Sequence, residues 1–164
     1  MKTKIRTAGR LVMYGLLGTF LSLSMNHVMA QTAKPTSPTK PTQGPASNFT
    51  GTVWVTTLAG PNPQTDCIVS QVSFGPKART VWHTHPNGQI LVATKGTGYY
   101  QEKGQPLRVF KEGESVTIAP MVEHWHGAGP GGSFTHIAIN PNVSKGGAVN
   151  WLQAVTDEEY SMKD

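Results

Sequence analysis

One cysteine among 164 residues rules out an intramolecular disulfide, even in a compartment that would permit one. That residue, Cys67, opens the apolar run Cys67-Ile68-Val69 and reads as a small core side chain rather than a nucleophile. An intermolecular pairing or a reactive thiol ranks below that reading. The apolar run over residues 11–25 is shorter than the roughly 20 residues a spanning helix needs, so no membrane span is expected once the leader is removed. There is no internal repeat. There is also no clustered basic stripe of the kind that DNA or RNA binding requires, so nucleic acid is excluded as a partner.

The basic residues that are present gather at the start. Lys2, Lys4, Arg6 and Arg10 precede the apolar run, and Val28-Met29-Ala30 offers small residues at the positions a signal peptidase reads. Residues 1–30 are therefore expected to be a secretory signal peptide, and the protein to be exported to the periplasm or secreted. No cysteine follows the cleavage position directly, which argues against a lipid anchor. Cleavage leaves ten Lys/Arg against nine Asp/Glu, so the pI near 9.5 belongs to the leader and not to a binding surface.

Residues 31–47 read QTAKPTSPTKPTQGPAS, with four prolines and no apolar side chain larger than alanine. Such a tract is expected to be an extended, mobile linker. It serves equally well as a spacer or as a leader without a role. Residues 48–164 suffice for one domain. Short β-rich runs are expected over 52–58, 68–74, 80–85, 89–94, 98–102, 107–110, 115–118, 124–126 and 134–139, separated by turn signals such as Pro86-Asn87-Gly88. Many short strands at this spacing indicate an all-β sandwich or barrel. Only the end looks helical. Thr156 followed by Glu159 forms a capping box, and residues 149–155 are expected to be an amphipathic segment covering the barrel.

Five histidines fall within two patterned stretches and the strand after them. In WHTHPNGQ, residues 82–89, His83 and His85 are two apart, so on a strand both face one side, roughly 7 Å apart. The turn at Pro86-Asn87-Gly88 lets Gln89 point back to the same spot. The stretch APMVEHWHG adds His124 from a distant strand. His83, His85, Gln89 and His124 thus supply three nitrogens and an amide oxygen for one divalent transition metal, with room left for a substrate. Imidazole suits Fe, Zn, Ni, Co and Mn, so the ligand set does not name the ion. A neutral Gln89 in place of a carboxylate leaves the ion more positive, which favours an anionic substrate or hydroxide.

At these residues the chain resembles a cupin. Gly75, His83, His85, Gln89 and Gly96 match that family's first motif, with Gly75 two residues further upstream than usual. Gly113, Pro120 and His124 match the second, which here lacks its glycine between Pro120 and His124 and has Ala128 where asparagine is common. The resemblance implies an all-β cupin jelly-roll β-barrel with a short C-terminal helix. The runs ARTVWHTHPNGQ, EHWHGAGP, FTHIAI and VNWLQAVTDEEY are more narrowly similar to small bacterial cupins, over residues 49–160. These include manganese-dependent hydroxynitrile lyases and proteins resembling partners of carboxymuconolactone decarboxylases.

That likeness implies manganese at His83, His85, Gln89 and His124, and a catalytic pocket lined by His126, His136 and Thr80. Parity puts His126 on the same side as His124, and lets His136 face inward from the last strand. Thr80 has the wrong parity relative to His83 unless a bulge intervenes. His126 and His136 could instead support other groups without touching substrate. The reaction implied is reversible cleavage of a cyanohydrin to aldehyde and cyanide. The alternatives are a metal-dependent dioxygenase of phenolic or enolic substrates and a non-catalytic metal-loaded module that binds a small molecule. Trp54, Trp82, Trp125 and Trp151 read as core or interface packing, with Trp82 and Trp125 beneath the site. The resemblance also implies a homo-oligomer, dimer or tetramer.

Overall fold

Alternating apolar residues do form strands here, and the structure fuses two that a glycine-rich stretch divides in the sequence. The computed structural model describes Ala33, residues 35–62 and residues 64–161. The expected signal peptide, residues 1–30, lies outside them. In chain order the first strands are β1 (Thr42–Gln43), β2 (Phe49–Thr50), β3 (Val53–Ala59), β4 (Cys67–Phe74), β5 (Arg79–Thr80) and β6 (His83–Thr84). They are followed by β7 (Gln89–Glu102), β8 (Arg108–Lys111), β9 (Ser115–Ile118), β10 (His124–Ala128), β11 (Phe134–Pro141) and β12 (Asn150–Trp151). A single short helix, α1 (Asp157–Ser161), comes last among the described residues. None of these residues forms a helix long and apolar enough to cross a membrane.

The runs expected over 89–94 and 98–102 are one strand, β7, because Gly96-Thr97-Gly98 bends the chain without breaking its pairing. The first half of β7 lies between β9 and β11, and the second half between β8 and β10, all antiparallel. One strand therefore belongs to two sheets, and the whole curls around the side chains between them. Val53, Phe74, Leu91, Phe110 and Phe134 fill one end of that interior, each at most 2% exposed. The histidines occupy the other.

The strand expected over 80–85 is two short pieces. Arg79 pairs with Gly127 and His83 with His124, so four steps on one side face three on the other. The extra residue is a β-bulge, and it turns Thr80 onto the same side as His83. Close approach of β5 to β10 depends on Gly127: a Cβ there would lie 2.6 Å from Arg79 Cα. Gly127→Ala is expected to lower stability by about 1–3 kcal/mol through overpacking, read as a fall in Tm.

Two expectations need correction. Residues 39–44, assigned above to a mobile linker, run along β3. Thr39 N–H donates to Thr57 O, Thr42 and Gln43 pair with Val55 and Trp54, and Gly44 N–H donates to Val53 O. Proline tolerates an edge strand, and Pro41 and Pro45 flank this one. Residues 149–155 are not helical; β12 pairs with β6, and Leu152 N–H donates to Trp82 O.

The capping box does form. Thr156 N–H donates to Glu159 Oε2 at 3.0 Å and Glu159 N–H to Thr156 Oγ1 at 3.1 Å. Trp82 and Trp125 turn away from the histidines and pack with Val155 and Tyr160 under this segment. Arg79 fastens it, with Nη2 donating to Val155 O and Asp157 Oδ1 and the guanidinium 4.8 Å from the Tyr160 ring centre. Trp54 and Trp151 are partly exposed, and Cys67 is half-buried at the start of β4 rather than in the core.

Candidate metal centre

His83 and His85 come from β6 and the residue after it, His124 from β10, and Gln89 from the first position of β7. The turn that returns Gln89 requires glycine at 88. Its φ is 76°, and a Cβ there would meet Ile118 O at 2.6 Å. All four side chains are buried, none more than 4% exposed. The candidate ligand nitrogens of His83, His85 and His124 lie within 4.8 Å of one another.

The backbone sets the tautomer of each ring. Nδ1 of His83 bonds Val81 O at 2.9 Å, Nδ1 of His124 bonds Val122 O at 2.9 Å, and Nδ1 of His85 bonds Ala148 O. A carbonyl only accepts, so each Nδ1 carries the hydrogen and each Nε2 keeps a lone pair. Nε2 of His85 is buried without a partner, and Nε2 of His124 faces another acceptor, Gln89 Oε1, at 3.4 Å. Unpaired acceptors crowded in a dry interior are costly, and a shared cation resolves them. The residues fit a divalent metal.

Beside this group, Nδ1 of His126 lies 3.1 Å from Nε2 of His136, so one proton is shared between the two rings. The His126 backbone N–H donates to Thr80 Oγ1, leaving the threonine hydroxyl hydrogen to point elsewhere. All three line one cavity of about 210 Å³, together with His83, His85 and Gln89. Its remaining wall is mostly apolar: Phe49, Val55, Val72, Ala138, Val149 and Trp151. No carboxylate lines it among the described residues. A larger depression of about 410 Å³ between Trp82, Lys103 and Glu159 lies elsewhere and contains none of the histidines.

The structure thus brings together every residue singled out above, and the bulge accounts for Thr80. Parity also places Asn140 inward, two residues beyond Ala138 and four beyond His136, a signal present in the sequence and passed over. Trp151 was legible only as a packing residue, and nothing in the sequence set Phe49 apart.

Burial holds all five imidazoles below their usual range, His124 and His136 to about 4 and His83 and His126 well below 6.5. At neutral pH they are uncharged, the form that ligates metal and accepts protons. The unfolded chain takes up these protons near 6.5, so between 6.5 and about 4 it binds more protons than the folded one. Stability is therefore complete above that window and lost as pH falls through it. Metal-free protein is expected to lose on the order of several kcal/mol by pH 4, measured as a falling denaturation midpoint.

Comparison with known proteins decides the family. A cupin domain matches residues 70–133. The chain is 44% identical over 119 residues to an (R)-mandelonitrile lyase of Granulicella tundricola, covering 72% of this chain and 89% of that one. It belongs to the cupin family. A crystal structure of a cupin-like protein from Thermotoga maritima is 48% identical and superposes with a TM-score of 0.69, over 72% of this cupin and 89% of that chain. A cupin barrel protein from Rhodopseudomonas palustris, 19% identical with a TM-score of 0.57, shares the fold over 79% of this chain and 87% of its own.

Proposed function

We propose that this cupin is an exported, metal-dependent lyase of the hydroxynitrile type, cleaving small cyanohydrins to aldehyde and cyanide. One observation carries the reading: two of the three imidazoles whose nitrogens converge, His83 and His85, open with Gln89 onto a small, mostly apolar cavity that also holds a separate, neutral histidine pair. The relative from Granulicella tundricola, named for action on mandelonitrile, supports it. An ion held by His83, His85, Gln89 and His124, manganese by resemblance, would act as a Lewis acid toward the substrate hydroxyl or nitrile.

The other steps belong to the chain's own residues. His126, neutral and turned into the cavity, takes the proton of the substrate hydroxyl. The freed electron pair forms the carbonyl as the carbon–carbon bond breaks, and that bond's electrons leave with cyanide. The same ring returns the proton, giving hydrogen cyanide. His136 keeps His126 oriented through the shared proton, and the Thr80 hydroxyl offers a donor at the cavity wall. Phe49, Val72, Val149 and Trp151 exclude water and accept the organic part of the substrate.

Cyanide release from mandelonitrile, measured beside oxygen uptake on a panel of phenols, tests the reading. Cyanide without oxygen uptake is expected; the reverse result replaces the lyase with a dioxygenase. Inactivity on both with metal bound leaves a binding module. Export rests on residues 1–30, and protein recovered from outside the cytoplasm is expected to begin at Gln31 when its N-terminus is sequenced.

A further inference from the structure

Glutamine is an ambiguous ligand. Its carboxamide has an oxygen that can bind a cation and an NH₂ that cannot, and the two ends have nearly the same shape. Packing alone does not choose between them. With NH₂ turned inward, Gln89 would donate to a histidine lone pair and occupy the place an ion needs. With oxygen inward it completes the ligand set.

Something must therefore read the far end of the Gln89 amide. Asn140 is in position to do so. The ladder between β11 and β7 pairs Ile139 with Ile90, so Asn140, one step further along β11, stands beside Gln89. Its side chain lines the same cavity. Gln89 Nε2 donates to Asn140 Oδ1 at 3.1 Å, while Gln89 Oε1 sits 3.4 Å from His124 Nε2.

Resting on the metal reading above, we propose that Asn140 is a positioning residue: its side-chain oxygen holds the Gln89 NH₂ and so turns Oε1 toward the ion. The two amides are geared together. If Asn140 turned over, its own NH₂ would face Gln89, and Gln89 could satisfy it only by swinging its oxygen away from the histidines. The orientation of one residue that does not touch the ion thus decides whether a ligand that does is available.

The test compares Mn(II) affinity, by competition with a fluorescent chelator, in the protein and in Asn140→Leu, Asn140→Asp, Gln89→Glu and the double variant Gln89→Glu/Asn140→Leu. Losing a partner that orients a metal ligand costs roughly 10–100-fold in affinity, and Asn140→Leu is expected to show that loss in a metal-free protein that still folds, its Tm lowered only as far as the loss of one hydrogen bond requires. Asn140→Asp, which can only accept, is expected to bind at least as tightly as the parent. Glutamate presents oxygen at both ends and needs no orienting. In the Gln89→Glu background, adding Asn140→Leu is therefore expected to change affinity by no more than about twofold, the scatter of independent sites. Should Asn140→Leu fail to fold, Asn140→Ala takes its place in both backgrounds. An equal loss in both backgrounds overturns the proposal, since Asn140 would then act through packing alone. So does an unchanged affinity in Asn140→Leu, while leaving the metal reading intact. Parent protein that takes up no Mn(II), Fe(II), Co(II), Ni(II) or Zn(II) overturns both.

Discussion

His124→Ala is expected to leave the chain folded and unable to hold metal. His124 is the only candidate ligand from β10; His83, His85 and Gln89 all come from the stretch spanning β6 to the start of β7. Its ring lies 4.2 Å from that of His83 and 5.4 Å from that of His85, centre to centre, so it closes the side that the others leave open. Affinity should fall by more than the roughly 10–100-fold that follows loss of a residue merely orienting a ligand. The backbone ladder of β10 with β7 does not use the side chain, so the far-UV circular dichroism should not change. Metal bound to this variant with parental affinity would place the ion elsewhere.

His126→Ala is expected to do the opposite: keep the metal and lose turnover. His126 stands two residues past His124, but its Nδ1 is engaged with His136 and it is not among the three rings whose nitrogens converge. A positioned acid or base contributes roughly 10²–10⁴-fold, and kcat for cyanide release should drop by that order. Truncation also strands His136 Nε2, so some stability will be lost with the activity. Metal analysis and kinetics on one preparation separate the outcomes. Loss of metal would make His126 part of the ligand set, and retained turnover would move the proton transfer to another group.

Much of the site was legible because strand parity is a strict rule. His83 and His85, then His124 and His126, then His136, each obey period two, and the barrel brings three separated stretches together. Thr80 marks the limit of the rule. Only a register that pairs Arg79 with Gly127 and His83 with His124 reveals the extra residue that turns it inward. The residues that fix the site's chemistry were not legible. The carbonyls of Val81, Val122 and Ala148 set the three tautomers through backbone position, and composition says nothing about where a carbonyl points.

Elsewhere, propensity lost to pairing. Residues 39–44 carry no large apolar side chain to bury, yet β3 offered an open edge, and backbone hydrogen bonds secured them together with the Thr39 hydroxyl, which accepts from Thr57 N–H, and the Thr42 hydroxyl, which donates to Val55 O. Residues 95–97, with Gly96 at their centre, looked like a break between two strands, whereas neighbours on both sides of β7 keep it continuous. The capping box of α1 was read correctly because it is purely local, closed within four residues. Local signals survived folding, and those that depend on a neighbouring strand did not.

Everything rests on one cation shared by side chains from β6, β7 and β10. Anomalous diffraction from a metal-loaded crystal, recorded at the absorption edge, addresses that directly. A single peak per chain is expected, roughly 2.0–2.3 Å from Nε2 of His83, His85 and His124 and from Oε1 of Gln89. A peak bound by other residues, or none at that position in metal-saturated crystals, would contradict it.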